Sequence, residues 1–326
     1  MNGVSRLSGH QGEVLSIGAW ERCIVSGGSD GTVRLWDWPR GLRSVKCVFV
    51  GRGQQVSAVV SSEVEPHRLF VAAECDVREY DLRKEGVVLR EFRWKNSLGS
   101  SAEDEVNSLA VNEKGTYLAS CDDAGDVAVL DLSGAAAECS RNPNAIRWKR
   151  MRKQHSNIAS SVAFRRGTVW ELLSGSFDCS VLGWDFGRGK TTSKTDVNVA
   201  EDSTQVVNPP FVHKLEAENR HRGRVACALG SGDIVILDLG SSEPIVSRGS
   251  NVHRAAATAV AWGTDRLISG GIDCELVLWK ADPSSALEAV QTIRHGEKIN
   301  DVAWKHDSYV YVASQSSTIG IYKPHE

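Results

Sequence analysis

Apolar and small polar residues alternate over short stretches along the whole chain, as they do in half-buried β-strands. Clear examples are VLSIGAW at 14–20, VNSLAV at 106–111, SVAF at 161–164 and AVAW at 259–262. Other apolar runs follow turns that contain glycine or aspartate, among them TVRLWDW at 32–38 and DIVILDL at 233–239. No segment of the sequence sustains a helical period, so the pattern predicts an all-β protein.

One spacing of polar and aromatic residues occurs three times. A histidine is followed by a serine, by an aspartate four residues after the serine, and by a tryptophan six residues after the aspartate. Composition alone does not produce three such copies, so they are internal repeats. The three sets are His10, Ser26, Asp30 and Trp36; His155, Ser174, Asp178 and Trp184; and His253, Ser269, Asp273 and Trp279.

Weaker copies fill the gaps between these repeats. The units end on an aromatic residue or a leucine at positions 36, 80, 130, 184, 237, 279 and 322, which lie 42 to 54 residues apart. This spacing suits a module of four strands. A single four-stranded sheet cannot cover both of its faces, so we expect seven sheets to stack around a ring as one domain over residues 1–326.

Two segments depart from this rhythm. Only KPHE follows Tyr322, which is too short for the fourth strand of the last unit. Residues 3–7 are predicted to supply that strand and so to close the ring. Residues 187–210 are polar and lack periodicity, so they are predicted to form a loop between the fourth and fifth units.

Composition is that of a globular protein, with 41% hydrophobic and 24% charged residues. A net charge of −3 gives no general attraction to nucleic acid or to an anionic membrane, and the basic stretch RWKRMRK at 147–153 is predicted to be a solvated strand edge. The first ten residues lack the apolar core of a secretory signal, and no apolar run is long enough to span a membrane. Eight cysteines without a C-x-x-C pair favour buried, reduced thiols in a cytoplasmic or nuclear protein.

The sequence carries no recognised motif of a catalytic site. The chain contains no G-x-S-x-G or H-E-x-x-H motif and no ligand cluster typical of a metal site. The DFG triplet at 185–187 begins with the aspartate that ends the fourth unit, and the histidines recur with the repeats. We therefore expect no enzyme activity, no cofactor and no metal.

The three complete repeats resemble those of WD-repeat β-propellers. In that family the histidine, serine, aspartate and tryptophan form a hydrogen-bonded tetrad, and the resemblance implies the same for the three sets above. Such a tetrad is physically sound, because a buried aspartate needs charge-assisted partners and an indole N–H needs an acceptor. The other four units lack the full set and are expected to rely more on apolar packing.

Four strings resemble, in the same order, the family of WD repeat-containing protein 53. They are CDDAGDVAVLDL, QHSNIASSVAFR, NPP before FVHKLEA, and RHGEKIND. Asn157 and the pair Glu297–Lys298 are the specific features, since a generic repeat requires none of them. The resemblance implies a scaffold that acts as a substrate receptor of a cullin-4 RING ubiquitin ligase, as a monomeric propeller within a larger complex.

A short motif bears on that implied function. Receptors of this ligase often carry W-D-x-R or Y-D-x-R at the end of a third strand, where the arginine faces the adaptor subunit. The string EYDLRK places Tyr80, Asp81 and Arg83 in this pattern, whereas Arg40 in WDWPR lies one residue too late. An arginine at this rim would offer a planar set of donors that lysine lacks.

A second interpretation is a peptide- or histone-binding propeller, or a general assembly scaffold, unrelated to ubiquitin. Propellers bind peptides across the central channel, on the face that carries the loops before the first strands. Polar residues in these loops are therefore candidates for partner contact, although solvated surface is the ordinary role of such residues. The candidates are Glu13, Glu105, Asn107, Asn157, Lys298 and Asn300.

Overall fold

The computed structural model describes residues 2–20, 23–37, 44–84, 88–93, 104–133, 148–198, 208–218, 223–239, 244–281, 286–305 and 309–324. These residues form 28 strands in seven antiparallel sheets of four strands each. The seven-bladed, all-β architecture predicted from the repeats is therefore confirmed.

Each sheet is one blade, and chain neighbours pair within it. Blade 1 contains β2 (Val14–Trp20), β3 (Cys23–Gly28), β4 (Thr32–Asp37) and β5 (Ser44–Phe49). Blade 2 contains β6 (Val56–Ser61), β7 (Arg68–Ala73), β8 (Asp76–Asp81) and β9 (Val88–Arg93). Blade 3 contains β10 (Val106–Val111), β11 (Tyr117–Asp122), β12 (Val127–Asp131) and β13 (Lys149–Arg150).

The remaining blades follow the same plan, except that the last one includes the first strand of the chain. Blade 4 contains β14 (Ala159–Phe164), β15 (Glu171–Ser176), β16 (Ser180–Asp185) and β17 (Lys190–Asp196). Blade 5 contains β18 (Val212–Ala217), β19 (Arg224–Leu229), β20 (Ile234–Asp238) and β21 (Ile245–Gly249). Blade 6 contains β22 (Ala257–Trp262), β23 (Arg266–Gly271), β24 (Glu275–Lys280) and β25 (Glu288–Arg294). Blade 7 contains β26 (Ile299–Lys305), β27 (Tyr309–Ser314), β28 (Thr318–Lys323) and β1 (Asn2–Ser8).

The first strands of blades 1 to 6 and β26 of blade 7 line a central channel, since these seven inner strands contact one another in a closed ring. We call the end of the channel where the inner strands begin the entry face, and the end where they finish the exit face. Because successive strands of a blade are antiparallel, the turns between second and third strands lie on the entry face. The connections after the first and third strands lie on the exit face.

The hydrophobic core consists of seven layers, each packed between two neighbouring blades. Successive side chains of a strand point to opposite faces of its sheet, so each blade contributes to two layers. Second strands are accordingly buried on both faces, as in Arg224–Leu229, where all six residues are buried. Stability therefore comes from contacts between blades as much as from pairing within them.

The ring is closed by β1, which pairs antiparallel with β28 from Asn2 opposite Lys323 to Ser8 opposite Thr318. Leu7 on this strand is 1% exposed and packs in the layer between blades 7 and 1, together with Trp36. The predicted closure by residues 3–7 is confirmed, with one further residue of strand at each end.

One prediction about local structure was wrong in part. Residues 190–196 were assigned to a loop because they are polar, but they form β17, the outer strand of blade 4. An outer strand packs little against its neighbours, so its side chains are mostly exposed and its sequence need not be apolar. Residues 199–207 of the predicted loop lie outside the described residues.

The expectation of buried cysteines holds for two positions only. Among the seven described cysteines, all free thiols, Cys121 and Cys227 are buried and Cys47 is exposed. Cys179 and Cys274 lie in entry-face turns, with φ of 63° and 67°, so a turn position rather than core packing explains them. Cys139 lies outside the described residues.

Candidate functional site

Blades 1, 4 and 6 contain the same buried hydrogen-bonded relay. In each, the tryptophan Nε1 donates to the serine Oγ over 2.8 to 2.9 Å, and the serine Oγ lies 2.7 Å from the histidine Nε2. The histidine Nδ1 lies 2.9 to 3.1 Å from the nearest aspartate oxygen. With the ring proton on Nδ1, every donor has an acceptor. The structure thus brings together His10, Ser26, Asp30 and Trp36; His155, Ser174, Asp178 and Trp184; and His253, Ser269, Asp273 and Trp279.

The aspartate of each relay also orders an entry-face turn. Asp178 accepts hydrogen bonds from the main-chain N–H groups of Ser156 and Ser180 and from the Ser180 hydroxyl. Burial alone would raise the pKa of Asp178, but the hydrogen bonds from Ser180 and His155 outweigh it and hold the pKa below its usual range. Burial lowers the pKa of His155. At neutral pH the pair is therefore a neutral imidazole beside a carboxylate. Because Ser174 is fully buried and its Oγ also accepts a hydrogen bond from Trp184, the relay has a structural role.

The other blades replace this relay in different ways. In blade 7, Tyr322 occupies the tryptophan position, and its hydroxyl lies 2.7 Å from His295 Nδ1, so the two side chains bond directly without a serine between them. In blade 2, Ala73 pairs directly with Asp76, so the turn has two residues and no position for the aspartate. In blade 5, the positions of serine and tryptophan hold Cys227 and Leu237, both fully buried.

Arg83 lies on the exit face, two residues beyond the third strand of blade 2. Its side chain is 66% exposed, whereas that of Asp81 is 4% exposed. Arg83 Nε and Nη2 donate to separate Asp81 oxygens over 2.9 and 2.7 Å, and the Arg83 main-chain N–H donates over 3.0 Å. The hydrogen bond from the Arg83 side chain is the largest cause of a strongly lowered pKa at Asp81. Tyr80 is 2% exposed and packs between blades 1 and 2, which anchors the strand end.

Four of the six candidate residues for partner contact are exposed on the entry face. Glu13, Glu105 and Lys298 directly precede the inner strands β2, β10 and β26, and Asn157 lies two residues before β14. Partial burial, followed by the negative charges of Asp123 and Glu74, raises the pKa of Glu105. These side chains surround the entry mouth of the channel.

The other two candidates, Asn107 and Asn300, make hydrogen bonds between blades. Each is the second residue of an inner strand and donates through Nδ2 to the main-chain oxygen of the first residue of the next inner strand. Asn107 reaches Ala159 over 3.1 Å, and Asn300 reaches Val14 over 2.8 Å. Ser57, Ser160 and Thr258 donate in the same way to Val106, Val212 and Ile299.

Three charged side chains meet in the channel, and sequence reasoning missed all of them. Lys214 Nζ lies 3.0 Å from Asp301 Oδ1, and Asp301 also accepts the main-chain N–H groups of Ile17 and Val302. Glu216 follows two residues after Lys214 on β18. The available signal for Lys214 and Glu216 was the string HKLE in an inner strand, since most other blades have serine, alanine or glycine at these two positions.

Residues 2–37 match the family model for the WD domain, G-beta repeat. This segment contains the closing strand β1 and the whole tetrad of blade 1. The chain is a WD-repeat β-propeller.

Curated relatives of this WD-repeat propeller include the WD repeat-containing protein 53 homolog of Dictyostelium discoideum. The two are 27% identical over 97% of this chain and 92% of the relative. The resemblance carried by the four strings therefore extends along nearly the whole chain. The ribosome biogenesis protein WDR12 homolog of Trichoplax adhaerens is 22% identical over 92% of this chain, which spans only 60% of that relative.

Solved structures confirm the fold of the propeller. The WD40 β-propeller domain of Doa1 has a TM-score of 0.78 and 15% identity, with 99% of this chain and 97% of that chain covered. A chain of the Mitotic Checkpoint Complex has a TM-score of 0.79 and 17% identity, with 99% and 92% covered. At these identities the likeness concerns the fold alone.

WD-repeat propellers are typically non-enzymatic scaffolds for protein interactions, and these matches indicate no catalytic family. Within the described ranges, no group of three or more His, Cys, Asp or Glu side chains is arranged to hold a metal ion. A search of the same ranges finds no helix with the length and apolar character needed to cross a membrane.

Proposed function

We propose that this WD-repeat propeller is a substrate receptor of a cullin-4 RING ubiquitin ligase and that Tyr80, Asp81 and Arg83 dock on the ligase adaptor. The observation that carries the proposal is the exposed Arg83 guanidinium, which a buried carboxylate holds in place. Similarity to a WD repeat-containing protein 53 homolog along nearly the whole chain supports it. The receptor would work as a scaffold in the cytoplasm or nucleus, and the ribosome biogenesis relatives favour a nuclear pool.

The surroundings of Arg83 suit a contact at the centre of an interface. The Leu82 main-chain N–H donates to the His67 oxygen over 2.8 Å, which ties the motif to the exit-face loop of the same blade. Two N–H groups of the Arg83 guanidinium donate to Asp81. Its remaining N–H groups, on the side away from Asp81, can donate to a binding partner. Arginine held in this way loses little conformational entropy on binding, and arginine is enriched among residues that dominate binding energy.

The test is the affinity of the purified propeller for the purified adaptor subunit. Arg83→Ala should weaken binding by about 30-fold, which corresponds to the ~2 kcal/mol typical of such a contact. Arg188→Ala is the matched control. Arg188 is 81% exposed and lies 3.6 Å from Asp185, the aspartate at the end of the third strand of blade 4, but it follows that aspartate by three residues, whereas Arg83 follows Asp81 by two. Arg40→Ala is a second control in sequence, although Arg40 lies outside the described residues.

Two results would contradict this function. One is a wild-type propeller that does not bind the adaptor at micromolar concentrations. The other is an Arg83→Ala variant that binds as well as Arg188→Ala does. In either case the Arg83→Ala variant must remain folded, as shown by an unchanged circular dichroism spectrum at the assay temperature, because removal of the guanidinium leaves the Asp81 carboxylate without its ion-pair partner.

The entry face favours a second function, recognition of a peptide by a scaffold unrelated to ubiquitin. Its channel mouth carries exposed polar side chains and, beside them, the rings of Phe177 and Phe211 stacked with centroids 5.2 Å apart. In this case Glu105→Ala and Lys298→Ala should reduce recovery of partner proteins in affinity purification, whereas Arg83→Ala should not. Losses confined to Arg83→Ala would exclude this alternative.

A further inference from the structure

The exit-face half of the channel is a cavity of about 670 Å³. This volume is within the usual range for ligand pockets. Its mouth is formed by exit-face loops of blades 2, 3 and 4, and includes the partly exposed Trp170 and Val169, 46% and 54% exposed. Because the cavity opens on the face opposite the predicted peptide-binding loops, neither interpretation of the sequence used it.

The wall of this cavity is lined by small side chains at one level of the ring. The fifth residue of each inner strand contributes to the wall, and five of the seven are alanine or glycine. Small residues leave the middle of the channel wide enough for a side chain. Glu216 is the single charged residue at this level; the others are Gly18, Val60, Ala110, Ala163, Ala261 and Ala303.

The charges around Glu216 are already paired with one another. Lys214 and Asp301 form an ion pair deeper in the channel. At the mouth, Arg166 donates to both Glu63 oxygens over 2.9 and 3.1 Å. Of the residues that the structure describes, no side chain forms a hydrogen bond or ion pair with the Glu216 carboxylate. One negative charge therefore faces the cavity without a positive partner.

The environment of Glu216 makes that charge unfavourable in the empty channel. Burial, and then the negative charge of Asp301, raise the pKa of Glu216 to about 7, against the opposing influence of Lys214, the Trp262 main-chain N–H and Arg166. A cation placed beside the carboxylate would compensate for the lost hydration.

We propose that this cavity binds the cationic side chain of a lysine or arginine from a partner protein, with the Glu216 carboxylate as its ionic partner. Glu216 is the fifth residue of the six-residue strand β18, so it lies within about two strand residues, roughly 7 Å, of the exit face. A lysine or arginine can cover that depth with its aliphatic stem against the alanine wall, while its charged end reaches the carboxylate. Trp170 and Val169 at the mouth provide apolar contact for the backbone that carries the side chain.

This inference does not depend on the ligase adaptor, and it is tested with defined probes. The probes are acetylated and amidated Gly-Gly-Lys-Gly-Gly, its arginine analogue, and a norleucine analogue that keeps the stem without the charge. Binding to the full chain is followed by amide chemical shifts in nuclear magnetic resonance spectra. We expect saturable shifts at Leu215, Glu216 and Ala163 with the two cationic peptides at millimolar concentrations, and none with norleucine.

The dependence on pH identifies the carboxylate. Since Glu216 has a pKa of about 7, it is mostly protonated at pH 6 and mostly ionised at pH 8, so the cationic peptides should bind about tenfold more tightly at pH 8. Glu216→Gln should abolish this difference and the binding, whereas Glu297→Gln on an exposed entry-face loop should change neither. Ala110→Leu should block the cavity without changing its charge.

Several outcomes would overturn the assignment. They are an absence of shifts at the channel amides with either cationic peptide, equal shifts with norleucine, or normal binding by a folded Glu216→Gln variant. Spermidine separates a free polyamine from a protein side chain. If spermidine saturates the same resonances at a lower concentration than either peptide, the ligand is a free amine and not a partner's side chain.

Discussion

Replacement of Asp178 by alanine tests how much a complete tetrad stabilises its blade. The carboxylate accepts from His155 Nδ1 at 2.9 Å, from the main chain of Ser156 and Ser180 at 3.1 and 3.0 Å, and from the Ser180 hydroxyl at 2.6 Å. Ser156 is exposed, so its N–H can bond to water in the variant. His155 and Ser180 are buried, so Asp178→Ala leaves three donors without this acceptor: the His155 Nδ1–H, the Ser180 main-chain N–H and the Ser180 hydroxyl.

Each buried donor left in this state destabilises a protein by about 1–3 kcal/mol. The Ser180 hydroxyl lies 3.5 Å from His155 Nδ1 and can recover part of the loss, because the two groups can turn toward each other. We therefore expect Asp178→Ala to lower the free energy of unfolding by about 2–4 kcal/mol. Asp131→Ala is the control, since Asp131 is an exposed aspartate at the end of a third strand in blade 3, where leucine replaces tryptophan.

The assay is urea denaturation at pH 7.5, followed by circular dichroism and by tryptophan fluorescence. Agreement of the two signals would justify a two-state comparison of midpoints. Asp131→Ala should lower stability by less than about 1 kcal/mol, as expected for an exposed position. If Asp131→Ala destabilises the protein as much as Asp178→Ala does, the buried hydrogen bonds of the tetrad are not the cause of the loss.

Three further predictions concern closure and pH. Deletion of residues 1–8 should lower the melting temperature by at least about 5 °C or cause aggregation, because it exposes the edge of β28; an unchanged melting curve would refute the closure. Burial, followed by the charge of Arg6, lowers the pKa of His295 to about 4, so the free energy of unfolding should fall as the pH decreases from 6.5 toward 4. In urea titrations His295→Gln should remove up to about 3 kcal/mol of this pH dependence. An equally steep loss of stability in the variant would refute the prediction. The raised pKa of Glu216 has the opposite effect, because it makes the free energy of unfolding fall by about 1–3 kcal/mol as the pH rises from 4.5 to 7. Glu216→Gln should abolish this loss. A variant that is less stable than the wild type at pH 8 would contradict the prediction.

The parts predicted from sequence are those encoded within one hairpin or one repeat. Ser174 and Trp184 are ten residues apart and belong to paired strands, so their contact follows from local spacing. The number of blades follows from the number of repeats, and the role of residues 3–7 from the strand missing after Tyr322. In each case the residues whose spacing led to the prediction are the same residues that pair or form hydrogen bonds in the structure.

The parts that sequence reasoning missed depend on neighbours far apart in the chain. Asn107 was recognised as polar, but its acceptor on Ala159 lies 52 residues away in the next blade. Lys214 and Asp301 meet only because blades 5 and 7 share one channel. The strand at 190–196 was missed for a different reason, since an outer strand needs few apolar residues and its sequence resembles that of a loop.

The pairing of β1 with β28 has a consequence for synthesis of the chain. The ribosome makes β1 before β28, and about 300 residues are added before the two can pair. At typical elongation rates this takes roughly 15 to 60 s, during which β1 has an unsatisfied backbone edge and an uncovered Leu7. The nascent chain must therefore keep β1 from mispairing until β28 has been synthesised. A message truncated before the codons for β28 would yield six complete blades and two strands of the seventh, with β1 and β27 unpaired at their edges. Such a product is suited to removal by cellular quality control rather than to partial activity.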